Sequence, residues 1–272
     1  MWENRYSALQ PKRSDGNIRF YNNYQLQRLL NIVNLQKIGF KISHLCSSDD
    51  ETLHAMIKNN IIHKEEESEF LRRQNSLIMA GISFDNSEFE KCCIENEKDY
   101  GLMVNYTHIL LPMLQRIGLL WNISNISIAQ EHFITHHIKR RLYFSLTQLQ
   151  ATLKENAQSW VLFLPEDEFH DIGLLMSSYL LSMKGCKVIY LGSSTPLSVI
   201  RELTLDMPID NILSFWVRND AKESFENFIH EMQSLFLEQK IFIAAKEELL
   251  EQIISPTMHK LSSINDLVTA LK

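Results

Sequence analysis

From residue 157 to the end of the chain, short apolar runs alternate with amphipathic stretches. The runs are "WVLFL", "CKVIYLG", "NILSFWV", "KIFIAA" and "MHKLS". Between them lie "DIGLLMSSYLLSMKG", "PLSVIRELTL", "AKESFENFIHEMQSLFLEQ" and "KEELLEQII", with apolar residues at helical spacing. Strand then helix in this rhythm predicts a five-stranded parallel sheet with helices on both faces. Residues 76–156 have a different texture. "YTHILLPMLQRIGLLW" and "ISIAQEHFITHHIKRRLYFSLTQLQATL" are long and apolar at helical spacing, joined by a short "NISN", which predicts a small helix bundle. Residues 1–75 open on "RYSALQPKRSDGNIRFY", where Pro11 and "SDGN" mark turns between short extended pieces. A helix follows in "YQLQRLLNIVNLQKIGF", and another begins at "DDETLHAMI". The expected architecture is multidomain, α followed by α/β, with boundaries near 75 and 156.

The charge is uneven. The chain of 272 residues carries a net −6, yet residues 1–41 hold seven Lys and Arg against Glu3 and Asp15, a balance of +5. The remainder therefore carries −11. A basic end on an acidic body points to an anionic partner at the N-terminus only, although a solvated charged face would give the same count. The four cysteines, Cys46, Cys92, Cys93 and Cys186, show no CxxC spacing, which fits a reducing, cytoplasmic setting. No apolar run is long enough to cross a bilayer, and no secretory signal opens the chain.

The candidate chemistry follows the first strand. "EDEFHDIG" crowds Glu166, Asp167, Glu168 and Asp171 around His170, then places Gly173. Ligands of open parallel sheets bind beyond the carboxyl ends of the strands, where this loop and Gly192 of "GSSTP" both fall. A carboxylate on one imidazole nitrogen fixes the tautomer and strengthens the other nitrogen as a metal donor. Glu168 is near enough to do this, and the acids together read as tuning the ring. Gly173 would let a flat ligand approach its backbone. Taken alone, His170 reads more readily as a loop histidine in a solvated acidic turn. His136 and His137 read as helix-surface residues.

Glu168, His170 and Gly173 resemble the D/E-x-H-x-x-G signature of cobalamin-binding Rossmann-like domains. The resemblance implies that His170 ligates cobalt from below in place of the cofactor's own benzimidazole, that Glu168 orients it, and that the nucleotide tail enters a pocket in the sheet. Ser214, about forty residues on, matches that family's serine motif and is implied as a tail contact. Three positions depart from the pattern: Ala244 and Ala245 stand where a Gly-Gly pair lines the tail pocket, and Trp216 replaces a smaller residue. Both changes narrow the pocket. Trp121, then nine residues, then Glu131 and His132 resemble the helical cap of light-sensing, cobalamin-dependent MerR-type regulators, where they form the upper face around an adenosyl group. A lone Trp would otherwise read as core. The histidine that can take the upper axial position in such regulators is Asn122 here.

Residues 2–21 resemble the wing of a MerR-type winged helix, with Arg5, Tyr6, Arg13, Arg19 and Tyr21 implied as DNA phosphate contacts. The first two helices of that motif are missing, so the chain reads as beginning inside the domain. The resemblance implies a partial winged helix (1–75), a four-helix-bundle cobalamin cap (76–156) and a doubly wound, flavodoxin-like domain (157–272). It implies a transcriptional regulator, not an enzyme, sensing cobalamin (adenosylcobalamin above all) and working as a homo-oligomer on DNA. Two rivals remain. One is a corrinoid carrier protein of a methyltransferase; the other is a ligand-free oligomerisation module, favoured by Trp216, Ala244 and Ala245. No nucleophile–base pair or phosphate loop is present.

Overall fold

The turn residues "SDGN" separate two extended pieces, and the backbone there forms an antiparallel ribbon of β1 (Lys12–Arg13) and β2 (Arg19–Phe20), with Arg13 opposite Arg19. The computed structural model describes these four residues, positions 25, 28, 29, 31, 32, 35 and 36, residues 40–53, residue 56, and residues 65–122, 126–149, 153–218 and 222–271 except 252, 254 and 256. The chain divides into two compact units, Met1–His137 and Ile138–Lys272.

In the first unit, the described positions between 25 and 36 are helical, as the "YQLQRLL" periodicity requires. Leu29, Ile32 and Leu35 are buried, and Ile32 and Leu35 pack with Leu45, Cys46 and Leu53 around α1 (Ile42–Ser47). Arg28 pairs with Asp50 and donates to the Ser48 carbonyl at 2.6 Å, so one of the N-terminal cations is spent inside this unit.

The helical region follows: α2 (Glu65–Ile82), α3 (Asn86–Val104), α4 (Leu111–Asn122) and α5 (Ile128–Gln148). The Asp85 side chain caps α3 by accepting from the Glu88 N–H. Gly101, at φ +75°, kinks α3, and Asn105–Leu110 form a wider π turn before α4. Pro112 has no N–H to offer the preceding turn, and the His108 carbonyl instead accepts from Gln74 Nε2 at 2.8 Å. A Cβ on Gly81 would lie 2.3 Å from Ile134, so α2 and α5 approach at that glycine closely enough that a larger residue would force them apart. Residues 123–125 of "NISN", expected to link α4 to α5, lie outside the described residues.

The second unit contains β3 (Ser159–Phe163), α6 (Ile172–Met183), β4 (Lys187–Gly192), α7 (Leu197–Asp206), β5 (Asn211–Trp216), α8 (Lys222–Leu235), β6 (Lys240–Ala245), α9 (Glu247–Leu250), β7 (Met258–Leu261) and α10 (Ile264–Ala270). All strand pairs are parallel, in the order β4-β3-β5-β6-β7, which is the doubly wound topology expected from the alternation. Every residue of β3 is buried, as a central strand covered on both faces must be. One face packs Val161, Phe163, Ile212, Trp216, Ile241 and Ile243 against α7, α8 and α9. The other packs Trp160, Leu162, Leu213 and Phe242 against α6 and α10.

Trp216 is only 2 % exposed, edge-on to Phe225 at 5.5 Å and tilted on Phe228 at 5.2 Å. Trp216→Val should therefore leave a cavity in the α8 core and cost about 2–4 kcal/mol. Urea denaturation measures this; an unchanged midpoint would mean that the indole is not structural.

Candidate functional site

The order of the strands reverses direction on either side of β3, so the crevice between the ends of β3 and β5 is where a ligand belongs. After β3 the chain turns out through Pro165–Asp171. Asp167 sits at φ +63° and Ser194, after β4, at φ +51°, both left-handed. Gly192, at φ +82°, ends β4, and its carbonyl accepts from the Leu164 N–H at 2.8 Å. The Thr195 N–H donates to the Leu164 carbonyl at 2.8 Å and the Ser194 N–H to the Glu168 carbonyl at 3.1 Å. Ser194 Oγ accepts from the Asp167 N–H at 3.2 Å. These bonds fix the two loops against each other.

Glu168 is fully buried within this frame. Its Oε1 accepts from the N–H groups of Phe169 at 3.0 Å and His170 at 3.1 Å. Its Oε2 accepts from the N–H groups of Val217 and Arg218, both at 2.8 Å, just beyond β5. Oε1 also lies 2.6 Å from His170 Nδ1. Burial alone raises a carboxyl pKa, but the His170 ring and the Arg218, Val217 and His170 amides outweigh it and hold Glu168 at about 2. An ionised carboxylate can only accept, so Nδ1 carries the proton; in the neutral ring the lone pair is then on Nε2. The imidazole itself is 63 % exposed. The arrangement presents one oriented nitrogen donor above a buried anion.

The neighbouring acids do not share this role. The Glu166 carbonyl accepts from Arg218 at 2.8 Å, Asp167 serves the left-handed turn, and Asp171 pairs with Lys139 of α5 at 2.5 Å. The expectation that the acids together tune the ring is narrowed: Glu168 is the acid whose carboxylate bonds the His170 ring, while Asp171 is paired with Lys139. Gly173 also differs from expectation. A Cβ there would meet Phe215 Cε1 at 2.7 Å, so the bare backbone is already covered by a side chain of this protein.

Ser214 is fully buried, and its Oγ has no hydrogen-bond partner among the described residues. By strand alternation it faces α7 and α8 with Ile212 and Trp216, whereas Phe215 faces α6. Ser214 and Gly173 are thus on opposite faces of the sheet. Ala244 is opposite Phe215 and Ala245 opposite Trp216. Trp216 belongs to the α8 core, so it does not narrow the space beside Gly173. Arg218 lies 4.2 Å over its ring.

Glu131 and His132 occupy the first turns of α5, with Glu131 Oε2 3.5 Å from His132 Nε2 and the histidine side chain 64 % exposed. Trp121 lies in the last turn of α4; its side chain is outside the described residues. His137 is buried rather than on the surface: its ring packs 4.4 Å from that of Phe133 and 5.2 Å from that of Phe89, with Glu90 at 3.9 Å. Of the N-terminal residues singled out from the sequence, Arg13 and Arg19 are paired in the ribbon, while Arg5, Tyr6 and Tyr21 lie outside the described residues. The Val217 and Arg218 amides and the Phe215 ring carry no motif, and sequence reasoning passed over them. No described helix is long and apolar enough to cross a membrane.

Comparison with known proteins matches two segments to families. Residues 1–45 match the MerR HTH family regulatory proteins, and residues 74–144 match the B12 binding domain. The chain is 24 % identical over 229 residues to the HTH-type transcriptional repressor CarH of Myxococcus xanthus, covering 83 % of this chain and 76 % of that one. It is 24 % identical over 235 residues to the repressor CarA of the same organism, covering 85 % and 75 %. In fold it is similar to a Methanosarcina barkeri monomethylamine corrinoid protein, with a TM-score of 0.59 and 13 % identity over 74 % of this chain and 95 % of that one.

Glu168→Gln should destabilise the second unit by at least about 2 kcal/mol, because an amide cannot accept from donors on both sides. The contribution is present above about pH 4.3, the unfolded value, and is lost as pH falls through the folded value near 2. Denaturation of both proteins across that range checks it: the gap should close on acidification, and a gap independent of pH would refute the charged role.

Proposed function

We propose that this chain, a MerR-type regulator with a B12 binding domain, is a DNA-binding transcriptional regulator whose C-terminal half binds adenosylcobalamin as its sensory ligand. The observation that carries the reading is the exposed imidazole of His170, oriented by a buried carboxylate. The hydroxyl of buried Ser214, which has no hydrogen-bond partner among the described residues, is a second polar group that fits a ligand. A corrinoid carrier for a methyltransferase would have no use for the MerR segment at residues 1–45. When bound, the cofactor would supply a cobalt centre able to take a nitrogen donor from the protein.

This chain's own residues divide the work. His170 would hold the cobalt through Nε2. Glu168 holds the ring by Nδ1 and is itself held by four backbone N–H groups, so little side-chain freedom remains to be lost on binding. Trp121, Glu131 and His132 are the further residues assigned to the cofactor. Arg13 and Arg19, with Arg5, Tyr6 and Tyr21, contact phosphate. The ligand alters DNA affinity by biasing assembly, because two-fold half-sites need at least a dimer.

Titration with adenosylcobalamin in the dark, followed by absorption, tests the site. A base-off, histidine-coordinated spectrum is expected, and His170→Ala should weaken binding at least about tenfold. Wild-type affinity in that variant would sink the assignment. For the DNA contact, Arg13→Ala with Arg19→Ala should lower the slope of log affinity against log salt by roughly one to two. An unchanged slope would remove these arginines from the phosphate contacts.

A further inference from the structure

We propose that the ring of Phe215 is a specificity determinant. It closes the space beside Gly173, so that this chain binds a corrinoid lacking the nucleotide arm more tightly than intact cobalamin. The proposal rests on His170 being the lower cobalt donor. An intact cobalamin carries its benzimidazole on an arm tethered to the lower side of the corrin ring. When an imidazole takes the lower position, that base must leave the cobalt but stays tethered on the same side. It then needs room in the protein close to the histidine. Bare backbone three residues beyond His170, at Gly173 in the first turn of α6, would provide such room.

In this structure the room is taken. A Cβ on Gly173 would lie 2.7 Å from Cε1, 3.2 Å from Cδ1 and 3.5 Å from Cζ of Phe215. One edge of the ring therefore lies against the glycine, and a ligand group cannot share that space. Phe215 comes from β5 and packs against the α6-face core while only partly buried, so it can be displaced at a cost. Its register partner is Ala244, whose methyl adds little bulk. The ring of Phe215, not the alanines, is the principal obstacle. An intact cobalamin must expel it, whereas a corrinoid without the arm leaves it in place.

The test titrates the full chain with hydroxocobalamin and with aquocyanocobinamide, which has the same corrin ring but no nucleotide, each followed by absorption. The expected result is cobinamide tighter by roughly tenfold or more, the penalty of moving a phenyl ring out of apolar contact. Phe215→Ala should reduce that preference to within about threefold by improving hydroxocobalamin binding, with cobinamide little changed. Phe215→Leu, which keeps more of the packing, should fall between. Cobinamide binding by each variant serves as the check on folding. Equal affinity of the wild-type chain for both corrinoids, or a gain in Phe215→Ala that is the same for both, would overturn the proposal and leave the role of His170 standing. Binding of neither corrinoid by the wild-type chain would overturn the role of His170 and this proposal together.

Discussion

The carboxylate of Glu168 is the one group on which the geometry of the ligand crevice depends. It receives four backbone N–H groups, two from its own loop and two from the chain leaving β5, and it reaches the ring of His170 at 2.6 Å. A fully buried charge is costly unless it is compensated, and here the compensation comes from the backbone of the segments that follow two neighbouring strands. The loop after β3 therefore cannot move away from the loop after β5 without stranding one carboxylate oxygen and the Val217 and Arg218 amides. The same constraint that closes the sheet at its topological switch point also sets the plane and tautomer of the imidazole. Stability and ligand presentation are a single interaction at this point.

Much of this was legible in the sequence, and what was not has a physical reason. The central strand announced itself because a strand covered on both faces must be apolar at every position, as "WVLFL" is, whereas the edge strands β4 and β7, with exposed positions, were marked by their place in the strand–helix alternation. The Glu168–His170 contact was legible because a carboxylate two residues before a histidine in a loop is near enough to bond its ring, and because the pair fits the D/E-x-H-x-x-G resemblance. The Val217 and Arg218 donors were not, since any non-proline residue supplies an N–H and its type leaves no trace. Phe215 was passed over because a Ser-x-small pattern directs attention to its first and third positions, while strand alternation sends the middle one to the other face. Trp216 was correctly seen as large, but its partners Phe225 and Phe228 come from a helix farther along the chain.

His137 shows a further limit. Adjacent to His136 in a helix rich in charge, it reads as solvated, yet it is buried among Phe89 and Phe133 with Glu90 beside it. Periodicity locates a buried face only when the residues on that face are apolar. A histidine on the apolar face is hidden from a hydrophobicity count, although its ring packs as well as a phenyl. The N-terminal charge carries a similar lesson. A surplus of +5 suggests a surface for an anion, but Arg28 is engaged by Asp50 and the Ser48 carbonyl, so the charge available to a partner is smaller than the count.

The two readings of His170 that the sequence left open make different demands on its neighbour. A solvated loop histidine in an acidic turn needs an acid nearby but not a buried one, because water can satisfy both groups. A metal-donating histidine needs a fixed ring with one nitrogen committed and the other presented. The structure buries Glu168 completely while leaving the imidazole 63 % exposed. Solvation does not produce that asymmetry, because desolvating the acid raises its free energy and gains nothing for a ring that stays in water. Such an arrangement suits the donor role proposed for His170, because a ring already held by Nδ1 loses little further freedom in binding a ligand.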